Sequence, residues 1–195
     1  MSAPPRAILF DLYGVIGQNS WQVFKTKHFT EKPDDWKKLR ALGLRVDKGE
    51  VSDAVLVDAI ASATGESAKT VRYQFEHTIA NQPLLDFIGS HLVGSYKIGL
   101  LSNASRDVVG DILSPEQRQY FEAVVSSFHV GLAKPDLRIF MYICDKMGVS
   151  PNDCLMVDDQ PQHLRAAQGL GMRTLQYKSA NQTIEALRKE LREAV

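Results

Sequence analysis

Seven polar residues stand directly after short apolar runs in this chain. Asp11 and Tyr13 follow AILF, Ser102 and Asn103 follow IGLL, Lys134 closes GLAK, and Asp158 and Asp159 follow LMV. Together they hold the groups needed for displacement at an anionic centre. A carboxylate such as Asp11 can attack as a nucleophile and split one difficult displacement into two steps through a covalent intermediate. Lys134 beside it would offset its charge and that of an anionic substrate, while the Ser102 hydroxyl and turn amides would bind oxyanions. Asp158 and Asp159 are hard oxygen ligands of the kind that hold Mg²⁺ with waters and a substrate phosphate. Each residue alone has a plain structural use: an Asp or Ser-Asn in a turn, a Lys-Pro opening a helix. Chemistry requires that they converge.

Convergence depends on the elements that carry them. The apolar runs Ala7 to Phe10, Ile98 to Leu101, Ala123 to Val125, Leu155 to Val157 and Thr174 to Tyr177 read as buried strands. Helical patterns lie between them at Pro83 to Val93, Pro135 to Met147 and Gln160 to Leu170. This alternation predicts an α/β fold, a parallel sheet with helices on both faces. In such a sheet the polar residues gather outside the carboxyl ends of the strands, where ligands bind.

From about Asn19 to Asn81 the alternation stops and helical patterns follow one another. They include a helix ending near Gly43, a turn at Lys48 and Gly49, Ser52 as N-cap of a helix with apolar Val55, Leu56 and Ile60, and a helix over Glu66 to Thr78. The expectation is a core of residues 1–17 and 82–195 with a helical cap of residues 18–81 over Asp11. The tail from Thr183 is a charged amphipathic helix that should pack on the core, in a monomer or a homodimer.

Composition narrows the partners. Lys plus Arg and Asp plus Glu number 23 each in 195 residues, so no overall field draws the chain to nucleic acid or to an anionic membrane. No apolar run reaches the length of a membrane span, and MSAPPRAILF lacks the apolar stretch of a signal peptide. The expected location is cytoplasmic. Cys144 and Cys154 have neither metal-ligand nor redox-motif spacing and are expected to be reduced, small buried hydrophobes.

The segments FDLYGV, LLSNAS, GLAKPDLRIF and CLMVDDQPQH, in that order, resemble the four motifs of the haloacid dehalogenase-like (HAD) hydrolase superfamily over Arg6 to about Tyr177. The resemblance implies a Rossmann-like core with a cap inserted after the first motif. RVDKGEVSDAVLVDAI is similar to the small caps of the branch holding sugar-phosphate phosphatases and the phosphatase domain of soluble epoxide hydrolases. It implies Asp11 as nucleophile, with Ser102, Asn103 and Lys134 at the substrate. It also implies a Mg²⁺ site made from Asp11, the Tyr13 backbone carbonyl and Asp158, supported by Asp159. The implied substrate is a small phosphorylated metabolite.

Tyr13 departs from the phosphatase pattern, in which a second aspartate protonates the leaving oxygen and then activates water. Positioned acid–base catalysis contributes ~10² to 10⁴-fold, so an alkyl phosphate would be handicapped unless another group serves. The 2-haloacid dehalogenases of the superfamily carry Asp-x-Tyr, because halide needs no proton. A metal-independent dehalogenase is therefore one alternative, against which stand the intact acid pair Asp158 and Asp159 and Val15 in place of a hydroxyl residue. A retired member that binds a phosphorylated ligand or a protein is the other.

Further residues have structural readings with functional alternatives. His163 reads as helix surface, and Arg40 and Arg45 as a solvated face, with contact to a substrate anion as the alternative. Trp21, Phe24 and Phe29 read as helix packing, with a pocket lining as the alternative.

Overall fold

A computed structural model describes residues 4–18, 20–104 and 108–191, with the side chains of residues 20 and 21 outside the described set. Five parallel strands form one sheet in the order β3-β2-β1-β4-β5. They are β1 (Ala7–Phe10), β2 (Lys97–Ser102), β3 (Ala123–Ser126), β4 (Cys154–Asp158) and β5 (Arg173–Gln176). All four residues of β1 are buried, because the strand runs through the middle of the sheet with helices on both faces. Phe10 pairs with Leu100 of β2 and with Val157 of β4. The next residue, Asp11, therefore emerges at the centre of the carboxyl edge, between the ends of both neighbours.

Four helices separate β1 from the rest: α1 (Ser20–His28), α2 (Pro33–Asp47), α3 (Asp53–Thr64) and α4 (Ala68–Glu76). They bury an apolar cluster of their own, made of Phe24, Phe29, Leu39, Val57, Ile60 and Val71. Phe24 lies parallel to Phe75 with ring centroids 5.1 Å apart. Phe24 and Phe29 are thus packing residues; the Trp21 side chain lies outside the described residues. The chain leaves and re-enters the sheet domain side by side, since Gln18 donates to the Ile79 carbonyl and Asn81 N–H to that of Ile16.

Two details depart from the sequence expectation. The helix expected to end near Gly43 runs on to Asp47, with Gly43 buried inside it. A glycine costs a helix interior only about 1 kcal/mol, which burial of Leu39 and Val46 on either side offsets. In α3 the buried residues are Val57 and Ile60, while Val55 is exposed. Ser52 holds the N-cap position in extended conformation without a side-chain capping bond.

The remaining helices are α5 (Gln82–Phe87), continued by a π turn over Ile88–Leu92, then α6 (Val109–Ile112), α7 (Pro115–Arg118), α8 (Ser127–Val130), α9 (Leu137–Met147), α10 (Pro161–Gly169) and α11 (Ala180–Leu191). The last packs Leu187 and Leu191 into the main core, as the tail pattern predicts. Helix α9 comes close to the sheet at Gly99, where a Cβ would lie 2.7 Å from both Leu9 Cδ2 and Met147 Sδ. Adding that one carbon overpacks a buried contact, at about 1–3 kcal/mol. Gly99→Ala should therefore lower stability by that amount in urea unfolding, and an unchanged midpoint would contradict the close packing.

Candidate functional site

The carboxyl ends of β1, β2 and β4 and the loop before α9 bring four charged or polar groups together. Lys134 Nζ lies 2.8 Å from Asp11 Oδ1 and 2.8 Å from Asp158 Oδ2, with its side chain fully buried. Its backbone is held by Asn103 at the end of β2. Lys134 N–H donates to Asn103 Oδ1 at 2.8 Å and Asn103 Nδ2 donates to the Lys134 carbonyl at 2.9 Å. The Lys134–Pro135 peptide is cis. Asp11 Oδ1 also accepts the Leu12 N–H at 2.7 Å, in a turn where Gly14 takes a φ of 90°.

Asp158 is wholly buried and its oxygens are engaged on several sides. Oδ1 accepts the Gln160 N–H at 2.8 Å, and His163 Nδ1 lies 3.0 and 3.1 Å from the two oxygens. His163 is itself buried, which corrects the expectation of a helix-surface residue. The start of α10 directly after the strand turns this ring inward over the carboxylate. Burial holds the imidazole below its usual range despite the Asp158 hydrogen bond.

Electrostatics divide the two carboxyls. Burial opposes ionisation of Asp158, but the Lys134 charge and the His163 bond outweigh it and hold this group below the usual carboxylate range. Burial, and then the negative charge of Asp158, push Asp11 well above that range against the pull of Lys134. Burial likewise disfavours the charged lysine, yet the two carboxylates keep its pKa raised. At the strand ends three acids, Asp11, Asp158 and Asp159, gather around the Lys134 ammonium, with the Arg40 guanidinium acting on Asp159 from the opposite wall. Carboxyl oxygens gathered at one edge suit a divalent cation.

Two donor sets can be drawn for such an ion. Asp11, Asp158 and His163 offer ligand atoms within 4.8 Å of one another. Their two carboxylates already share the Lys134 ammonium, so an ion there would crowd it. Asp11, Tyr13 and Asp159 instead line an open cleft of about 310 Å³. Of the ligands implied by the family pattern, Asp158 is thus the one turned inward. Ser102 lies beneath the cleft, buried, and its Oγ has no hydrogen-bond partner among the described residues.

The opposite wall of the cleft comes from the helical layer. Trp36, Arg40 and Asp47 line it from α2, with Lys25 and Gln22 from α1. Arg40 therefore faces the cleft rather than open solvent, whereas Arg45 is exposed and pairs loosely with Glu50 at 3.4 Å. Burial lowers the Arg40 pKa, opposed by Asp47 and Asp159. Asp47, which the sequence reading did not single out, has its carboxyl pushed up to about 6 by burial, against the charges of Arg40 and Lys134. Its one sequence signal is an acid in the last turn of a helix, where the dipole disfavours negative charge.

A family model for haloacid dehalogenase-like hydrolases matches residues 5–171. The solved structure of a HAD family enzyme from Bacteroides thetaiotaomicron, in complex with magnesium and inorganic phosphate, superposes with a TM-score of 0.67 at 25% identity, covering 90% of this chain and 95% of that one. Pig bifunctional epoxide hydrolase 2 is 32% identical over 74 residues, 38% of this chain and 13% of that protein. Escherichia coli fructose-1-phosphate phosphatase YqaB is 29% identical over 110 residues, 55% of this chain and 57% of that protein. The chain thus matches only part of the length of these curated relatives.

Removing the ammonium would leave Asp11 and Asp158 facing each other with no counter-charge. Breaking a buried pair in this way costs about 3–5 kcal/mol. The Asp11 carboxyl, already raised by burial and by Asp158, would lose the Lys134 charge that opposes this and lie further above its unfolded value, so the folded state binds the extra proton and is favoured as pH falls. Lys134→Met in chelator should be destabilised by that amount at neutral pH, with the deficit shrinking toward pH ~5. A deficit independent of pH in urea unfolding would contradict the bridging role.

Proposed function

Because the chain belongs to the haloacid dehalogenase-like hydrolase family, we propose that it is a Mg²⁺-dependent phosphatase of a small phosphorylated metabolite, acting through a phosphorylated Asp11. The observation that carries this reading is the buried Asp11–Lys134–Asp158 bridge at the foot of a cleft that Asp159 also lines. Oδ1 of Asp11 already accepts from Leu12 N–H and Lys134, which assigns attack on phosphorus to Oδ2. Lys134 keeps Asp11 from being expelled by Asp158 and partly neutralises the phosphoryl group as it approaches. Asp158 fixes the ammonium, and Asn103 fixes the backbone that carries it. The Ser102 hydroxyl, buried and without a hydrogen-bond partner among the described residues, would donate to a phosphoryl oxygen.

Asp11, the Tyr13 carbonyl and Asp159 are the residues that would hold Mg²⁺. When bound, the ion would supply positive charge to the phosphoryl oxygens and to Asp11. The helices α1 to α4 act on this reading as a cap, whose Trp36, Arg40 and Lys25 select the part of the substrate beyond the phosphate.

Tyr13 favours a second reading, in which Asp11 displaces halide from a 2-haloacid and no metal is used. The intact acid pair Asp158 and Asp159 weighs against it, since a metal-free displacement has no use for the second of these carboxylates, which would repel an anionic haloacid. Phosphate release from acetyl phosphate separates the two. The wild type should release phosphate with Mg²⁺, and both chelator and Asp11→Asn should abolish release. Chelator-insensitive halide release from a 2-haloacid, with no phosphate release, would establish the second reading.

A further inference from the structure

Tyr13 leaves the phosphatase reading without its proton carrier, and the opposite wall of the cleft holds a residue of the right kind. Helix α2 directs Trp36, Arg40, Gly43 and Asp47 along one face, the spacing of a packing stripe. Gly43 is buried, while the other three line the cleft above Asp11. Asp47 is half-buried and makes no side-chain hydrogen bond or ion pair among the described residues. Arg40, two turns back on the same helix, acts on it through its charge. Lys134 acts on it from the core, and Lys25, Asp159 and His163 line the same cavity.

Local physics does not explain why an acid occupies this position. The C-terminal turn of a 15-residue helix disfavours negative charge, and Arg45 in the same turn points to Glu50 instead. Partial burial adds to the cost of ionisation. A carboxyl kept there with no hydrogen bond or ion pair among the described residues, and only the more distant charges of Arg40 and Lys134 acting on it, breaks the local rules, as functional residues do.

We propose that Asp47 is the general acid and base of this site, serving from the helical layer in place of the residue at position 13. This inference rests on the phosphatase reading above. In the first step Asp11 Oδ2 forms a bond to phosphorus, the bond to the leaving oxygen breaks, and that oxygen takes the proton of the Asp47 carboxyl. In the second step water attacks phosphorus and gives its proton to the Asp47 carboxylate. The bond from phosphorus to Asp11 breaks, inorganic phosphate leaves, and Asp47 is protonated again. Its carboxyl, raised to about 6, suits both states near neutral pH.

The test compares wild type, Asp47→Asn and Asp47→Glu on acetyl phosphate and on a set of alkyl phosphates (glycerol, ribose and hexose phosphates), with Mg²⁺. Intact-protein mass is read during turnover of acetyl phosphate. For alkyl phosphates, Asp47→Asn should lose ~10² to 10⁴-fold in kcat with little change in KM, and Asp47→Glu should recover part of the loss. On acetyl phosphate, whose leaving group needs no proton, Asp47→Asn should form phosphorylated protein that accumulates because water is no longer activated. A raised KM with kcat unchanged would make Asp47 a substrate anchor and overturn the assignment. So would unchanged turnover in Asp47→Asn, or a wild type that turns over acetyl phosphate and no alkyl phosphate. A wild type without Asp11-dependent release from any of them would overturn the phosphatase reading itself, and the assignment with it.

Discussion

A fully buried ammonium requires counter-charge, and much of the site follows from that requirement. Lys134 meets it with Asp11 and Asp158, each 2.8 Å away, and the two carboxylates in turn tolerate burial because the lysine is between them. The three come from different parts of the sheet: β1, β4 and the loop before α9. Only the parallel order β3-β2-β1-β4-β5, with β1 between β2 and β4, brings their carrier segments to one edge. The Asn103 clamp on the Lys134 backbone serves the same end, since a displaced lysine would leave two carboxylates in direct repulsion.

The bridge also sorts the acids by role. Asp158 is satisfied on several sides, by Lys134, His163 and the Gln160 amide, and on the proposed reading is a positioning group. Asp11 keeps one oxygen unengaged by those partners and is the harder of the two to ionise. On the proposed reading Asp11 is a nucleophile whose charge depends on nearby cations, so it gains reactivity only when substrate and counter-ion assemble around it. The helical layer completes the enclosure, and its α2 face brings aromatic, cationic and acidic side chains over the same cleft.

Much of the sheet and of its site was legible in the sequence for one physical reason. Strands buried on both faces read as short uninterrupted apolar runs, and the first polar residue after each run marks its exit to the edge. Asp11, Ser102 and Asp158 are found that way, and the parallel order then forces them together. The far wall of the cleft was less legible. Gly43 looked like a helix end, so the stripe that joins Trp36 to Asp47 was cut before its last member, and tertiary packing restored the helix. His163 has no periodic signal; its burial follows from how tightly α10 starts after β4. Cys144 and Cys154 sit with sulfurs 3.7 Å apart, a contact between α9 and β4 that their spacing does not encode.

The central claim is that chemistry passes through a covalent phosphate on Asp11, held ready by Lys134. Its most direct test is chemical trapping. Wild-type protein quenched during turnover of acetyl phosphate with Mg²⁺ is treated with borohydride, which reduces an aspartyl phosphate to homoserine, and the peptide containing residue 11 is sequenced by mass spectrometry. The account predicts homoserine at position 11 and at no other aspartate. Phosphate release with an unmodified Asp11, or with homoserine at a different position, would contradict it.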